Sequence, residues 1–491
     1  MTLEKLIQNI EVISISDFSE SREIVGITNN SKEVKLGFIY VAIVGTTLDG
    51  NQFIPDAINS GAAAVVIDKV DSQYDEFLSS NNVVKIVVKD SRKALADLSC
   101  EYFEHPSKKL KLVGITGSNG KTTTAFYVKN LFEKAGYKTG LLGTISNIVG
   151  DSQEDSQLTT PESHIINKYL HMMVEQGVTH CVMEVSSHSL SLDRVRGLDF
   201  DYGLFTNITS DHLDFHNDFD NYFKAKKILF DNLKESGIAI INYDDSSSSN
   251  IVSDCKGDVI SFGKNDNSNV KVSNVEYDLN GTRFNISTKS SEFNFDTSLI
   301  GEFNAYNAAS AAIVGISEGY NYEIITEGIN TTAQVPGRFE VIGKGSKKVI
   351  IDYSHTADSL EKALQAVREI IKDGMQIHTV FGCGGDRDKT KRPIMGKIAD
   401  ELSHEIYVTS DNPRFEEPKK IIDEILVGIK RENPKVIVDR KEAIKDAICS
   451  SEENSVILIA GKGHEEYQII GGVKSHFSDR ELAIKYLENC N

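Results

Sequence analysis

No window of the 491 residues approaches the eighteen or more consecutive apolar residues that a membrane-spanning helix needs. Met1 to Ser16 carries acidic residues where a secretory leader would be basic and then apolar, so the protein is expected in the cytoplasm. Basic charge is also short. Lys and Arg total 53 against 72 for Asp and Glu, a formal charge of −19, which argues against a nucleic-acid or anionic-membrane surface. A polyanionic ligand would therefore have to be held by local lysines, arginines and metal. The six cysteines (100, 181, 255, 383, 449 and 490) include no Cys-x-x-Cys pair. That argues against a zinc site and a disulfide framework, and leaves buried or incidental thiols as the expectation. No convincing internal repeat is present. Ser186-Ser187-His188 lacks the G-x-S-x-G elbow of a serine hydrolase. The run Ser246 to Ser249 reads as a solvated loop without function.

What the chain does have is a phosphate cradle. Gly114-Ile-Thr-Gly-Ser-Asn-Gly-Lys-Thr-Thr-Thr124 follows an apolar strand, Leu112 to Ile115, and leads into a helical stretch, Ala125 to Ala135. Gly117 and Gly120 let backbone N–H groups turn inward on an anion, and the new helix presents its positive end. Lys121 can meet phosphate and Thr122 a magnesium ion. The spacing departs from the strict G-x-x-x-x-G-K-[ST] rule, with Ile at 115. A nucleoside triphosphate is the expected ligand; a glycine-rich turn without nucleotide is the alternative.

At this length two to four domains are expected, and Pro106-Ser-Lys-Lys and Pro336-Gly-Arg mark boundaries that give segments 1–108, 109–336 and 337–491. The first is a small α/β unit: a buried strand within Gly37 to Gly45, a helix from Phe53, and a strand Ala64 to Ile67. The second alternates strands (Cys181 to Val185, Tyr202 to Thr206, Ile238 to Asn242) with helices, the mark of a mostly parallel sheet, and Asn280-Gly281 signals an appended hairpin. The third repeats the alternation through Lys348 to Ile351, Thr379 to Phe381, Glu405 to Val408 and Val456 to Ile459, a second doubly wound unit whose functional groups belong at the carboxyl ends of its strands. Glu184 and His212 follow two strands of the second segment and could, with Thr122, ligate Mg²⁺ opposite the phosphate loop.

The phosphate loop, Met183-Glu-Val-Ser-Ser-His188, Asp211-His-Leu-Asp-Phe-His216, Gly301-Glu-Phe-Asn-Ala-Tyr-Asn307, Pro336-Gly-Arg-Phe-Glu340, Asp352-Tyr-Ser-His355 and Gly461-Lys-Gly-His-Glu465 occur in this order along nearly the whole chain. Together they resemble the Mur ligase family. The resemblance is weaker before Lys109. It implies an N-terminal domain for a uridine nucleotide, a central ATPase domain and a C-terminal Rossmann-like domain for an incoming amino acid. The implied reaction is ATP-driven amide formation: the γ-phosphoryl moves to the D-glutamyl carboxylate of UDP-MurNAc-L-Ala-D-Glu, and an amine then attacks the acyl phosphate.

The resemblance places ATP against Gly117, Ser118, Asn119, Gly120, Lys121, Thr122 and Thr123, with Asn304 and Asn307 on the adenine side and Arg338 and Asp352 closing from the third segment. It gives Mg²⁺ to Thr122, Glu184, His212 and Lys226, the last as a carbamate formed with CO₂, and makes Lys121, Lys226 and His212 the catalytic groups. Read alone, Lys226 would be an exposed helix lysine like Lys224 and Lys227. Ser31, Thr159, Thr160, Ser186 and Arg194 are the implied muramoyl-dipeptide contacts. Asn30-Ser-Lys32 stands where the family usually has Asp-Ser-Arg, and Thr159-Thr160 could also cap a helix ahead of Pro161.

Ser410-Asp-Asn-Pro-Arg414 resembles the signature of the members that add meso-diaminopimelate. By that likeness Arg387 and Arg414 bind its carboxylate, and Asp411, Asn412, Pro413, Gly461 and Glu465 complete the amino-acid site. The expected partners are these small substrates, without nucleic acid or membrane, acting on a monomer. A lysine-adding muramoyl ligase or a folylpolyglutamate-synthase-like ligase would keep the phosphate loop and change the ends. A nucleotide-binding paralogue without turnover would not need Lys121, Glu184, His212, Lys226 and Arg414 together.

Overall fold

The computed structural model describes residues 1–16, 22–45, 48–69, 72–343, 347–371 and 374–490. Their strands form three principal sheets. The first has five strands in the order Val12–Ile15, Val84–Val88, Ala64–Ile67, Phe38–Val41, Gly26–Thr28, parallel except for the first. Its two faces are closed by apolar side chains of the short helices, Leu3 and Leu6 on one side and Ile54, Ala57 and Ile58 on the other.

The central sheet has eleven strands. Seven are parallel: Val270–Asp278, Asp258–Gly263, Ile238–Asn242, Tyr202–Phe205, Lys111–Thr116, His180–Glu184 and Thr139–Leu142. Antiparallel pairs extend both edges, among them the hairpin that turns at Asn280. Lys111–Thr116 is the first of the parallel strands in sequence but lies mid-sheet, with His180–Glu184 on one side and Tyr202–Phe205 on the other. At such a reversal of strand order the loops at the carboxyl ends diverge and leave a crevice. The phosphate loop, Glu184 and Thr206 all open onto it.

Helix Lys121–Lys134 leaves the phosphate loop and buries Tyr127, Val128, Leu131 and Phe132 against this sheet and helix Glu302–Ser317. Each such side chain contributes about 1.5–3 kcal/mol, enough to hold the loop on a rigid base. The third sheet runs Glu340–Ile342, Lys348–Asp352, Ser455–Ala460, Gln376–Phe381, Glu405–Val408, Lys435–Val436, parallel after the first strand. A separate hairpin, Tyr467–Ile470 with Val473–His476, follows it. The apolar core on one face of this sheet takes in Ile300, Phe303, Tyr277 and Leu279 from the central unit, so the two units share packed surface.

Three expectations fail. Cys449 and Cys490 form a disulfide between the ends of helices Arg440–Cys449 and Asp479–Asn489, which pack together; the pair is 41 residues apart in sequence and no spacing pattern marks it. The run Ser246 to Ser249 runs into a helical turn, Ser248–Ile251, whose Ser248 and Ile251 are buried. The helix after Pro161 is Ser163–Glu175 with Glu162 at its N-cap, so Thr159 and Thr160 do not cap it. Among the described residues no helix is long and apolar enough to cross a membrane.

Candidate active site

Gly117 has φ 151°, and a Cβ there would fall 1.9 Å from Thr206 Oγ1, so only glycine lets the loop lie against the neighbouring strand end. The loop is tied down by Thr206 Oγ1 donating to Asn119 O (2.6 Å), Asn119 N donating to Asn207 Oδ1 (3.0 Å) and a contact between Ser118 Oγ and Tyr222 Oη (2.8 Å). Helix Lys121–Lys134 starts from Gly120 without a side-chain cap. Lys121 is partly buried, and its Nζ donates to Gly117 O (2.8 Å) and Ser118 O (2.9 Å). Burial lowers its pKa, opposed by Glu184.

Glu184, 1% exposed at its strand end, accepts from Thr122 Oγ1 and Thr144 Oγ1 through Oε2 (2.9 Å each) and from Thr144 N through Oε1 (2.7 Å). Thr122 Oγ1 in turn accepts from Arg338 Nη2 (3.1 Å), which reaches across from the third unit. Lys226 is not an exposed helix lysine. It is 2% exposed on helix Phe219–Asp231, its Nζ donates to Gly117 O (2.9 Å) and lies 4.5 Å from the Tyr222 ring centroid. Burial, with Lys121 beside it, pulls its pKa well below 10.5. His212 has left-handed backbone (φ 54°), its Nε2 is 3.4 Å from Asp211 Oδ2, and its ring stands edge-on to His188 at 4.8 Å.

Among the described residues no three acidic, imidazole or thiol side chains are grouped to hold a cation. The donor set fits Mg²⁺ through oxygens: the Thr122 hydroxyl and Glu184 carboxylate already meet, and a carbamate on Lys226 would add a third oxygen ligand.

A cleft of about 490 Å³ lies between the central and third units. Asn119, Gly120, Thr123 and Asn307 line one wall, Arg338, Asp352 and Tyr353 the other. Arg338 stacks 4.6 Å over the Tyr353 ring. Asp352 accepts from Phe339 N (2.7 Å) and from Ser354 Oγ, and burial raises its pKa. Asn304 does not line the cleft. It sits behind Asn307, accepting from Asn307 Nδ2 (3.1 Å) and donating to Ile300 O (2.9 Å).

The dipeptide candidates on the central unit form one cluster. Thr160 Oγ1 donates to Glu184 O (2.8 Å) and to Ser186 Oγ (3.3 Å), Thr159 Oγ1 accepts from Thr144 Oγ1 (3.2 Å), and Arg194 holds Thr160 O (3.1 Å) and Glu162 (2.6 Å). Ser31 lies apart, on a 3₁₀ turn of the first unit whose cap is Asn30.

The amino-acid candidates converge at the carboxyl edge of the third sheet. A Cβ on Gly384 would fall 2.9 Å from Arg414 Nη1 and 3.9 Å from Arg387 Cγ, so the Arg414 guanidinium and the stem of Arg387 flank this glycine, while Arg387 Nη1 donates to Asp386 O (3.4 Å). Arg387 is exposed. Arg414 has φ 52°, donates from Nη1 to Gly385 O (2.7 Å), and is anchored through its backbone to Ile469 O and Gly471 N. Asn412 Nδ2 donates to Glu465 Oε2 (2.8 Å), and Asp411 Oδ2 lies against Gly461. Pro413 packs its carbonyl against Gly385.

Sequence reasoning missed several groups here. Lys462, fully buried, donates to Glu465 Oε2 (3.0 Å) and Asn412 Oδ1 (3.3 Å). Asp358 accepts from Asn119 Nδ2 (3.0 Å) and Thr209 Oγ1 (3.3 Å), docking the third unit directly on the phosphate loop. Its one sequence signal is Thr356, which caps helix Ala357–Ile370 in a reciprocal box with Ser359 and so fixes Asp358 in the first turn. His464, beside the Tyr353 ring at 5.2 Å, is held by burial to a pKa of about 3.

A phosphate loop at a sheet crossover, a buried carboxylate and hydroxyl beside it, and a second α/β unit docked over the crevice define a three-part ATP-using ligase fold. Residues 23–103 match the Mur ligase family catalytic domain, 115–315 the Mur ligase middle domain, and 337–463 the Mur ligase glutamate ligase domain. The chain belongs to the Mur ligase family. It is 42% identical to UDP-N-acetylmuramoyl-L-alanyl-D-glutamate–2,6-diaminopimelate ligase 1 of Clostridium acetobutylicum, over 99% of both chains. It is also 42% identical to the 2,6-diaminopimelate ligase of Aquifex aeolicus, over 95% of this chain and 94% of that one. A solved structure of a UDP-N-acetylmuramoyl-L-alanyl-D-glutamate–2,6-diaminopimelate ligase superposes with a TM-score of 0.70 at 27% identity, covering 100% of this chain and 99% of the other.

Proposed function

We propose that this protein joins meso-diaminopimelate to the D-glutamyl carboxylate of UDP-N-acetylmuramoyl-L-alanyl-D-glutamate, converting ATP to ADP and phosphate, as a step in building the peptidoglycan precursor. The observation that carries the reading is the convergence of Arg387 and Arg414 at Gly384, with Asn412, Glu465 and Asp411 alongside, in a chain whose full-length relatives bear that name. A guanidinium binds a carboxylate through two parallel N–H donors, and diaminopimelate differs from lysine by one carboxylate. Asp411, Glu465 and the Gly461 carbonyl face the ammonium groups.

The nucleotide lies in the cleft between Asn307 and the Arg338 to Tyr353 wall, its phosphates on the loop N–H groups of 117–123. Lys121 neutralises charge that develops between the β- and γ-phosphates as the phosphoryl group moves to the glutamyl carboxylate. Thr122, Glu184, His212 and a carbamylated Lys226 would hold Mg²⁺, which when bound offsets phosphate charge. A neutral Nζ is what CO₂ requires, and the depressed pKa of Lys226 supplies it. Thr159, Thr160, Ser186 and Arg194 orient the dipeptide beside Glu184, and Ser31 meets the uridine end. Arg338 and Asp358 hold the third unit down, keeping water from the acyl phosphate while the amine attacks. The reading puts the enzyme in the cytoplasm, acting as a monomer.

Phosphate release with the uridine dipeptide and a panel of amino acids tests the reading. Turnover should require the dipeptide, with meso-diaminopimelate strongly preferred. Arg414→Lys should raise its KM steeply, because lysine lacks the two-pronged contact. Equal or better efficiency with L-lysine in the unmodified protein would overturn the specificity and leave the ligase reading standing.

A further inference from the structure

The two arginines that flank Gly384 stand on different loops. Arg387 follows strand Gln376–Phe381 and Arg414 follows its parallel neighbour Glu405–Val408. A ligand gripped at both arginines senses the distance between those loops. Backbone contacts close part of the gap: Gly385 N donates to Asn412 O (2.9 Å) and Phe415 N to Asp386 Oδ2 (3.2 Å). The stronger link is ionic and lies beneath them. Arg392, fully buried on helix Lys391–Leu402, places both terminal nitrogens on the Glu416 carboxylate (2.9 and 3.0 Å) and donates from Nη2 to Gly384 O (3.1 Å). Glu416 Oε1 also accepts from Asp386 N at 2.6 Å, the residue immediately before Arg387. Lys389 lies 3.1 Å from the same carboxylate, and Glu424 takes the remaining reach of Arg392 (2.7 Å). Glu416 therefore holds one loop through Asp386 and the helix through Arg392, and belongs to the other loop, two residues beyond Arg414.

We propose that Arg392 and Glu416 are positioning residues for amino-acid recognition: their ion pair sets the separation of Arg387 and Arg414, and with it the discrimination between an amino acid with two carboxylates and one with a single carboxylate. The proposal rests on the reading of Arg387 and Arg414 given above. A two-pronged contact tolerates displacement of about half an ångström and 10–20° before it is lost. Backbone anchors fix Arg414 through Ile469 and Gly471 whatever happens at Glu416. Loosening the pair frees the Arg387 loop, so a ligand that needs both arginines loses one contact and a ligand that uses one loses little.

Glu416→Gln in the full-length protein tests this, since it keeps the shape and an acceptor for Asp386 N while removing the charge. The KM for meso-diaminopimelate should rise about tenfold or more, with kcat changed by less than about threefold and the KM values for ATP and the uridine dipeptide unmoved. The ratio of efficiencies for meso-diaminopimelate and L-lysine should fall about tenfold. Arg392→Lys, which keeps the charge and loses the fork, should shift the same two quantities in the same direction. The variant gives up some stability in either case, but a merely structural role would move all three KM values together, and that result overturns the proposal. So does an unchanged discrimination ratio in a folded Glu416→Gln protein. A wild-type enzyme that fails to prefer meso-diaminopimelate would overturn the recognition reading first and the positioning role with it.

Discussion

Gly337→Ala isolates the join between the central and third units. Gly337 has φ 64°, and a Cβ there would lie 2.1 Å from His464 N, 2.2 Å from Gly463 C and 2.7 Å from Gly463 Cα. All three are backbone atoms, and Cβ atoms are essentially never found closer than 3.0 Å, so the Gly463–His464 segment must withdraw by about an ångström. Left-handed backbone costs alanine a further ~1–2 kcal/mol. The displaced segment lies between Gly461 and Glu465, and Lys462, immediately before it, holds Asn412 and Glu465. An ångström of misplacement costs a reaction about 100-fold. Phosphate release with all three substrates should therefore fall about 100-fold, while nucleotide binding by the phosphate loop changes little. Gly319→Ala is the control: φ is 75°, but nothing lies within 4 Å of the added Cβ, so it carries the backbone strain without the contact. Efficiency within a few-fold of wild type in Gly337→Ala, or the same loss in Gly319→Ala, would refute the steric argument.

Lys121→Ala should abolish ATP turnover with the melting temperature unchanged or raised, because it removes a partly desolvated charge; near wild-type hydrolysis would count against the phosphate-loop role. Lys226→Ala should lose activity and regain part of it with added short carboxylic acids, and full activity in the plain variant would dispose of the carbamate. Cys449→Ser should melt like the reduced wild-type protein, about 2–4 kcal/mol below the oxidised form, since the cross-link closes a long loop; chemical denaturation with and without reductant checks it. Hydrogen bonding from Arg392 holds Glu416 down to about 2 against an ordinary 4.5. The stability it contributes is full above 4.5 and fades as pH falls toward 2, so Glu416→Gln should flatten the stability profile across that window; an unchanged acid slope would contradict the shift.

The phosphate loop and the strands feeding it were legible because a few residues with special backbone needs sit between apolar runs of fixed length. Strand-end placement also located Glu184 and Arg414. What the sequence hides is which side chains meet across long separations. Nothing near Arg392 marks it as the partner of Glu416, and nothing near Asp358 points to Asn119, 239 residues away. Burial of Lys226 was equally silent, because its neighbours Lys224 and Lys227 belong to the same helix and face outward or pair with Asp231 and Asp254. The Cys449 to Cys490 link has no local signature, since pairing depends on how two helices pack. Asn304 shows the converse error: a polar residue in a recognisable string can serve by bracing its neighbour instead of facing the cleft.

The shared apolar surface between the central and third units bears on the order in which the molecule is made. Tyr277, Leu279, Ile300 and Phe303 leave the ribosome before the strands they pack against, and those strands run from Lys348–Asp352 to Ser455–Ala460. Domains fold as units, amino-terminal first, during synthesis. A nascent chain that has reached Ser317 thus already carries the phosphate loop, Glu184 and Lys226, yet lacks the Arg338 to Tyr353 wall of the cleft between the two units. The half-made protein has its phosphate loop before it has a chamber that can close over it, and a chain cut short of its last sheet leaves Tyr277, Leu279, Ile300 and Phe303 without the core they pack into.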